Sequence, residues 1–326
     1  MPRHRFNNID NVSTDKTLKQ FSQWREERRK KKKDYSYVIP NSEPEIEYLK
    51  NNREDTTITW IGHSTFLIQY HGLNIVTDPV WAPRMAFQRR LGSPGIPIEE
   101  IPEVDVILIS HSHYDHMHVS SIRRLYGEHT TVLVPVGLKR KMERKGFSRC
   151  EELKWWEDLT VKNVKFSFVP TQHWTRRTPF DTNTSHWGGF VMEIDPPDQK
   201  GLGDPVIYFA GDSGYFKGFK DIGERYNIDV ALMPIGAYEP EWFMTSQHVN
   251  PEEAIQAFLD VKAKTMVPMH YGTFKLADDT AREALDRMEA ERKKRGIPEE
   301  AIRVLLYGET LRYPKLKPSD TSSRQG

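Results

Sequence analysis

Apolar positions gather into short, closely spaced runs only beyond residue 55. The runs at 57–60, 65–70 and 73–77 are β-branched and end in turn residues, a pattern that predicts a β-meander. Within 104–110, Val104, Val106, Ile107, Leu108 and Ile109 make an almost unbroken apolar stretch, as expected of a strand covered on both faces. Similar runs recur at 131–135, 161–169, 189–194, 206–210, 230–234 and 265–268. Between some of them, residues 119–126, 138–145, 251–262 and 278–294 have the spacing of helices. Asn250, Pro251, Glu252 and Glu253 form a helix start, with an Asn cap, Pro in the first position and acids in the first turn. Strands followed by strand–helix alternation predict an α/β fold of two packed sheets with helices outside. No internal repeat with a period of 20–50 residues is visible.

The two ends differ from this texture. Residues 1–55 are polar and basic, with a charged run from Arg25 to Lys33, and are expected to form an N-terminal extension, a solvated helix or arm. A sharper reading of the run is contact with an anionic membrane surface, which the neighbouring Glu26 and Glu27 weaken. Residues 56–316 are expected to be the catalytic domain and 317–326 a flexible tail.

Composition narrows the class. Lys and Arg number 47 against 46 Asp and Glu, so no basic excess favours nucleic acid. The single cysteine, Cys150, excludes an intrachain disulfide, a Cys-rich zinc ribbon and an iron–sulfur cluster. Mean hydropathy is −0.68, and no apolar run reaches the roughly 18–20 residues of a membrane span. The first residues lack an apolar signal-peptide core. The expectation is a cytoplasmic protein, at most peripheral at a membrane.

The chemistry concentrates at 110–118. His111, His113, Asp115, His116 and His118 directly follow the buried run, at the carboxyl end of a strand, where ligands collect in α/β sheets. His111 and His113 project to one side of an extended chain; Asp115 and His116 follow where the chain turns, so the spacing suits two adjacent metal ions. His118 reads as the start of the next helix. His173, Asp212 and His270 each follow an apolar run and supply what a two-metal site still needs. Imidazole and carboxylate ligation without thiolate suits Zn²⁺, with Fe or Mn also compatible. No G-x-S-x-G elbow points to a serine nucleophile.

These residues, in this order, resemble the metallo-β-lactamase-fold hydrolases, whose HxHxDH loop is matched in full. Stretches at 60–65, 77–79, 152–156, 172–174, 210–215, 235–244 and 247–254 narrow the likeness to the branch containing N-acyl-phosphatidylethanolamine-hydrolysing phospholipase D. The resemblance implies a four-layer αββα sandwich and a binuclear zinc phosphodiesterase in which a metal-bridging hydroxide releases phosphatidate and an N-acylethanolamine. It places one zinc on His111, His113 and His173, the other on Asp115, His116 and His270, and Asp212 between them. Asp115 and His248 are the implied catalytic residues, His248 positioning the phosphate or protonating the leaving alcohol. A homodimer is also implied. Tyr238, Trp242, Phe243 and Met244 are the candidate substrate wall. The sequence departs from the branch at 84–94, where a Gly-Pro-Lys-Arg element is usual, and at Tyr271 and Ser112, where Trp and Asn are common. The first departure leaves head-group specificity open. The alternative is a zinc hydrolase of a soluble sugar-phosphate lactone or small phosphodiester. A nucleic-acid partner is not expected.

Overall fold

The computed structural model describes residues 4–195 and 204–313. Fifteen strands and eight α-helices alternate along them. After α1 (Leu18–Lys30) and α2 (Ile46–Asn51) come the meander strands β1 (Thr56–Gly62), β2 (Thr65–Tyr70) and β3 (Leu73–Thr77), then a small hairpin of β4 (Arg84–Met85) and β5 (Gln88–Arg89). β6 (Val106–Leu108), α3 (Val119–Leu125), β7 (Thr131–Pro135), α4 (Lys139–Glu143) and β8 (Cys150–Leu153) follow. With β15 (Thr310–Tyr313) they form a seven-stranded sheet ordered β15-β1-β2-β3-β6-β7-β8.

The second sheet has six strands. They are β9 (Asp158–Val161), β10 (Val164–Val169), β11 (Gly189–Ile194), β12 (Ile207–Phe209), β13 (Val230–Pro234) and β14 (Thr265–Met269), ordered β14-β13-β12-β11-β10-β9. Here α5 (Gly218–Arg225), α6 (Glu241–Met244), α7 (Pro251–Asp260) and α8 (Ala281–Lys294) complete the helices. β12, β13 and β14 pair in parallel, as strands joined through helical connections do.

The alternation of side chains explains why the first sheet is buried on both faces. Phe66 and Ile68 point into the core between the sheets, whereas Leu67 points to an outer cluster with Met117, Ile122 and Met142. Val106 and Leu108 again face inward, and Ile107 and Ile109 outward. The second sheet meets the first through Phe166, Phe168, Phe190 and Tyr208, and α7 and α8 cover its far side. The result is a four-layer α/β/β/α sandwich, as the resemblance implied. Among the described residues no helix is long and apolar enough to cross a membrane.

Three expected elements differ in extent. The run at 104–110 pairs only over Val106–Leu108, because Ser110 gives its N–H to the Asp78 side chain instead of to a neighbouring strand. The run at 161–169 is a hairpin: β9 and β10 are joined by a turn with Lys162 at φ 55°. The last helix starts at Ala281, where Thr280 caps Glu283 N–H.

The N-terminal residues lie against the folded body, although α1 buries none of its own residues. Thr17 and Gln20 make a reciprocal capping box on α1. Phe21 and Trp24 of α1 lie against Phe243, with ring centroids 5.2 and 5.5 Å apart. The basic run turns inward: Arg28 pairs with Asp278 at 3.0 Å, Lys31 with Glu239 at 2.9 Å and Lys33 with Glu283 at 2.5 Å. The 317–326 tail lies outside the described residues.

Candidate metal centre

Side chains far apart in sequence meet at the carboxyl ends of strands from both sheets. His111 Nε2 and His173 Nε2 lie 2.9 and 3.2 Å from His113 Nδ1, so three imidazoles aim nitrogen atoms at one point. A second group collects His63, Asp115, His116 and His270, with His116 Nε2 3.2 Å from His270 Nε2. Asp212 stands between the groups. Its Oδ2 is 3.1 Å from His116 Nε2, 3.8 Å from His173 Nε2 and 3.9 Å from His111 Nε2, and its Oδ1 is 3.2 Å from His270 Nε2. The geometry thus brings together all seven residues singled out as ligands.

The backbone is contorted to achieve this. His63, Asp78 and His270 have φ of 56°, 34° and 61°, a region that non-glycine residues seldom enter and that clusters at functional sites. Gly211, at φ 63°, lets the chain pass Ser110 on the way to Asp212; a Cβ there would stand 2.8 Å from Ser110 Cβ.

Whether this donor set fits a cation can be judged from its hydrogen bonds. His173 Nδ1 donates to the Gln247 carbonyl at 2.9 Å, since a carbonyl only accepts; its Nε2 lone pair therefore faces the cluster. Asp78, fully buried, does the same for both groups. Its Oδ2 accepts from His116 Nδ1 at 2.7 Å and from Ser110 Oγ at 2.6 Å, and its Oδ1 from Ser110 N–H at 2.7 Å. With its hydroxyl proton committed, Ser110 Oγ accepts from His111 Nδ1 at 2.9 Å, which turns the His111 Nε2 lone pair inward. Such outer partners fix ring orientation in metal sites. Asp212 Oδ1 and His113 Nε2 are buried without a hydrogen-bond partner. Packing several imidazole lone pairs together is costly unless a cation receives them, so the residues fit metal ions.

The charge states divide between the two ligand groups. Burial keeps His111 and His248 well below the usual imidazole range and holds His113 at about 3 and His173 at about 4. At His270 burial opposes charge, but Asp212 and Asp115 outweigh it and raise the ring to about 9. Burial would also raise Asp115 and Asp212; His116 and His270 instead hold both well below the usual carboxylate range. Asp115 and Asp212 thus stay ionised beside neutral His111, His113 and His173, whereas the same carboxylates favour the charged rings of His116 and His270, whose protons a divalent metal would displace.

Further residues hold the ligands in place. Arg177 donates to the carbonyls of Ser112 at 2.8 Å and Met117 at 2.9 Å, bracing the ligand loop, and its guanidinium lies 4.0 Å from the Tyr114 ring centroid. His63 Nε2 donates to Asp115 Oδ2 at 3.0 Å. From the N-terminal arm, Asn8 Oδ1 accepts from His173 N–H at 3.0 Å. His63 and Asp78 carried a signal the sequence reading did not use for ligand selection: each directly follows an apolar strand, the rule that found His173, Asp212 and His270. Arg177 and Asn8 carried none, since their partners are backbone groups brought near by folding.

Above the cluster opens a cavity of about 920 Å³. Met85, Trp174, Met244 and Leu276 give it apolar walls, Arg84 and Arg176 give it cations, and His248 and Asp115 lie at its floor. Of the four proposed substrate contacts, Met244 alone lines it among the described residues. Tyr238 is buried with the Arg287 guanidinium 4.8 Å from its ring centroid, and Phe243 lies under α1. Trp242 bonds Glu27 Oε2 at 2.9 Å. Successive residues of a helix point about 100° apart, so α6 offers the cavity one face and α1 covers the other. His118 caps α3 through Ser121, as its position suggested.

A two-sheet sandwich with a His/Asp cluster able to hold metal defines the metallo-β-lactamase fold. Residues 73–271 match the family model described as a β-lactamase superfamily domain, and the chain belongs to that family. It is 34% identical over 243 residues to the Saccharomyces cerevisiae mitochondrial N-acyl-phosphatidylethanolamine-hydrolyzing phospholipase D, covering 71% of this chain and 50% of that protein. It is 36% identical over 235 residues to Caenorhabditis elegans N-acyl-phosphatidylethanolamine-hydrolyzing phospholipase D 1, covering 66% and 64%. The chain thus spans less than two thirds of the length of either relative. A metallo hydrolase from the archaeon Ignicoccus hospitalis shares the fold, with a TM-score of 0.60 at 23% identity, covering 79% of this chain and 98% of that one.

Proposed function

We propose that the chain is a binuclear zinc phosphodiesterase that hydrolyses N-acyl-phosphatidylethanolamine as a phospholipase D does. Water attacks phosphorus, the bond to the ethanolamide oxygen breaks, and phosphatidate and an N-acylethanolamine leave. The observation that carries this reading is the placement of the two ligand groups, joined by Asp212, at the floor of a largely apolar cavity. The names of the yeast and nematode relatives support it.

His111, His113 and His173 would hold one ion, and Asp115, His116 and His270 the other, with Asp212 shared. Zinc held there would supply an acidified water and a Lewis acid for the phosphoryl oxygen. Asp115, the most exposed carboxylate of the cluster, orients the attacking water and passes the proton that the water gives up to the leaving oxygen. His248 lies at the floor with its Nδ1 free of hydrogen-bond partners and 3.9 Å from Asp212 Oδ2, and supplies an N–H to the leaving oxygen. Arg84 and Arg176 receive the remaining phosphate charge, while Met85, Trp174 and Met244 contact acyl chain.

Arg84 and Arg176 also favour the second reading, a small soluble phosphodiester or sugar-phosphate lactone. Turnover of N-acyl-phosphatidylethanolamine in mixed micelles, compared with soluble bis-(p-nitrophenyl) phosphate, separates the two. In ¹⁸O-labelled water the label is expected in phosphatidate. Turnover of the soluble diester with none of the lipid would reject the phospholipase.

A further inference from the structure

We propose that the two loops around the cavity mouth form a docking surface for an anionic lipid bilayer. The first is the β4–β5 hairpin, whose tip carries Phe87, 95% exposed; the second is the 174–183 loop, which carries Phe180, 82% exposed. These are the two most exposed aromatic side chains in the described residues. Both loops line the same cavity through residues next to the exposed rings, Ala86 and Pro179.

Neither ring protrudes for want of a rigid base. Met85 is buried with Val80, Ala82 and Phe274, and Arg90 braces the hairpin through the carbonyls of Val80 and Ile61 at 3.0 and 3.1 Å. In the second loop, Asp181 Oδ1 accepts from the N–H groups of Arg177 and Thr178 at 2.9 and 2.7 Å. Each base therefore holds its phenyl ring out in water, where an exposed ring contributes nothing to folding.

The charge around the rings selects the partner. Residues 84–90 contain no Asp or Glu, and the 174–183 loop contains only Asp181, which is buried and already bound by Arg177 N–H, Thr178 N–H and Lys141 Nζ. Arg84, Arg89 and Arg176 are exposed, and among the described residues none of them forms an ion pair with a carboxylate. Apolar tips above a cationic collar suit a bilayer whose acyl region takes the rings and whose phosphates meet the guanidiniums. The Arg25–Lys33 run, the obvious membrane candidate in the sequence, has Arg28, Lys31 and Lys33 already paired with carboxylates of the folded body. The surface rests on the phospholipase reading in one respect, that docking would present lipid directly to the cavity.

The test uses the full, zinc-loaded chain and sedimentation with vesicles of phosphatidylcholine, with and without 30% phosphatidylserine. Wild type is expected to pellet with the anionic vesicles and less with the neutral ones. Phe87→Ser with Phe180→Ser is expected to weaken that binding at least tenfold, and Arg89→Gln about fivefold. Both variants should keep the wild-type melting temperature and bis-(p-nitrophenyl) phosphate turnover. Wild type remaining in the supernatant, or the double variant binding as wild type does, overturns the proposal. So does a dimer that the double variant converts to monomer, which would make the rings a contact between copies. Vesicle binding without lipid cleavage would reject the phospholipase and leave the surface standing; cleavage in micelles without vesicle binding would do the reverse.

Discussion

Asp78→Asn isolates the orientation of the ligands from their identity. The side chain lies on the Nδ1 side of the rings and sets the ring nitrogens of His111, through Ser110, and of His116 directly. Asparagine tolerates the φ of 34° at this position, so the backbone is not perturbed. The amide has one acceptor oxygen. Placed as Oδ2 it leaves the Ser110 N–H facing an NH₂; placed as Oδ1 it leaves the Ser110 hydroxyl and His116 Nδ1–H without an acceptor. A buried donor left unpaired costs about 1–3 kcal/mol. Burial raises the Asp78 carboxyl from its ordinary range, so removing its charge returns part of that cost, and the loss of global stability is expected at the low end. Metal retention is the sharper readout. Losing such an outer partner weakens metal binding roughly 10–100-fold, or about 1.4–2.7 kcal/mol. Equilibrating wild type and variant against a chelator series and measuring zinc per chain reads this shift. Superimposable retention curves would show that Asp78 does not orient the ligands.

Other perturbations address separate parts of the site. Asp212→Ala is expected to abolish turnover and lower metal content, measured by elemental analysis; full turnover with both metals lost would discard the mechanism. His248→Ala should lower kcat about a hundredfold with zinc content unchanged, the usual loss when one transition-state hydrogen-bond donor is removed. Arg177→Met removes the donor to two loop carbonyls and should lower Tm and accelerate zinc loss to a chelator, with Arg177→Lys restoring part of each. Asp279 tests the pH dependence. Burial raises its carboxyl to about 6, so the folded chain binds this proton more tightly than the unfolded chain. Its ionisation therefore destabilises by about 3 kcal/mol at pH 7, a cost that fades as pH falls from about 6 to 4. The unfolding free energy of wild type relative to Asp279→Asn should rise by that order between pH 7 and pH 4, measured by urea denaturation.

The sequence by itself determined the apolar strands, though not β4, β5, β8, β9 or β15, since alternating or continuous apolar runs have few other ways to be buried, and the local cluster His111, His113, Asp115 and His116, since those residues need no folding to be neighbours. It also marked His173, Asp212 and His270, because a ligand placed after an apolar run ends at the carboxyl edge of a sheet. The same rule pointed at His63 and Asp78. The tertiary structure alone decided what lies around these groups. Phe243 and Trp242 looked like a substrate wall until α1 was seen to lie against them, and Tyr238 until it was found buried beside Arg287; contacts so distant in sequence leave no local pattern. The basic run likewise reads as a free patch only until Asp278, Glu239 and Glu283 are brought beside it. Ligand type is a property of side chains and survives in the sequence; which face a side chain presents depends on what packs against it, and that is settled only when the layers close.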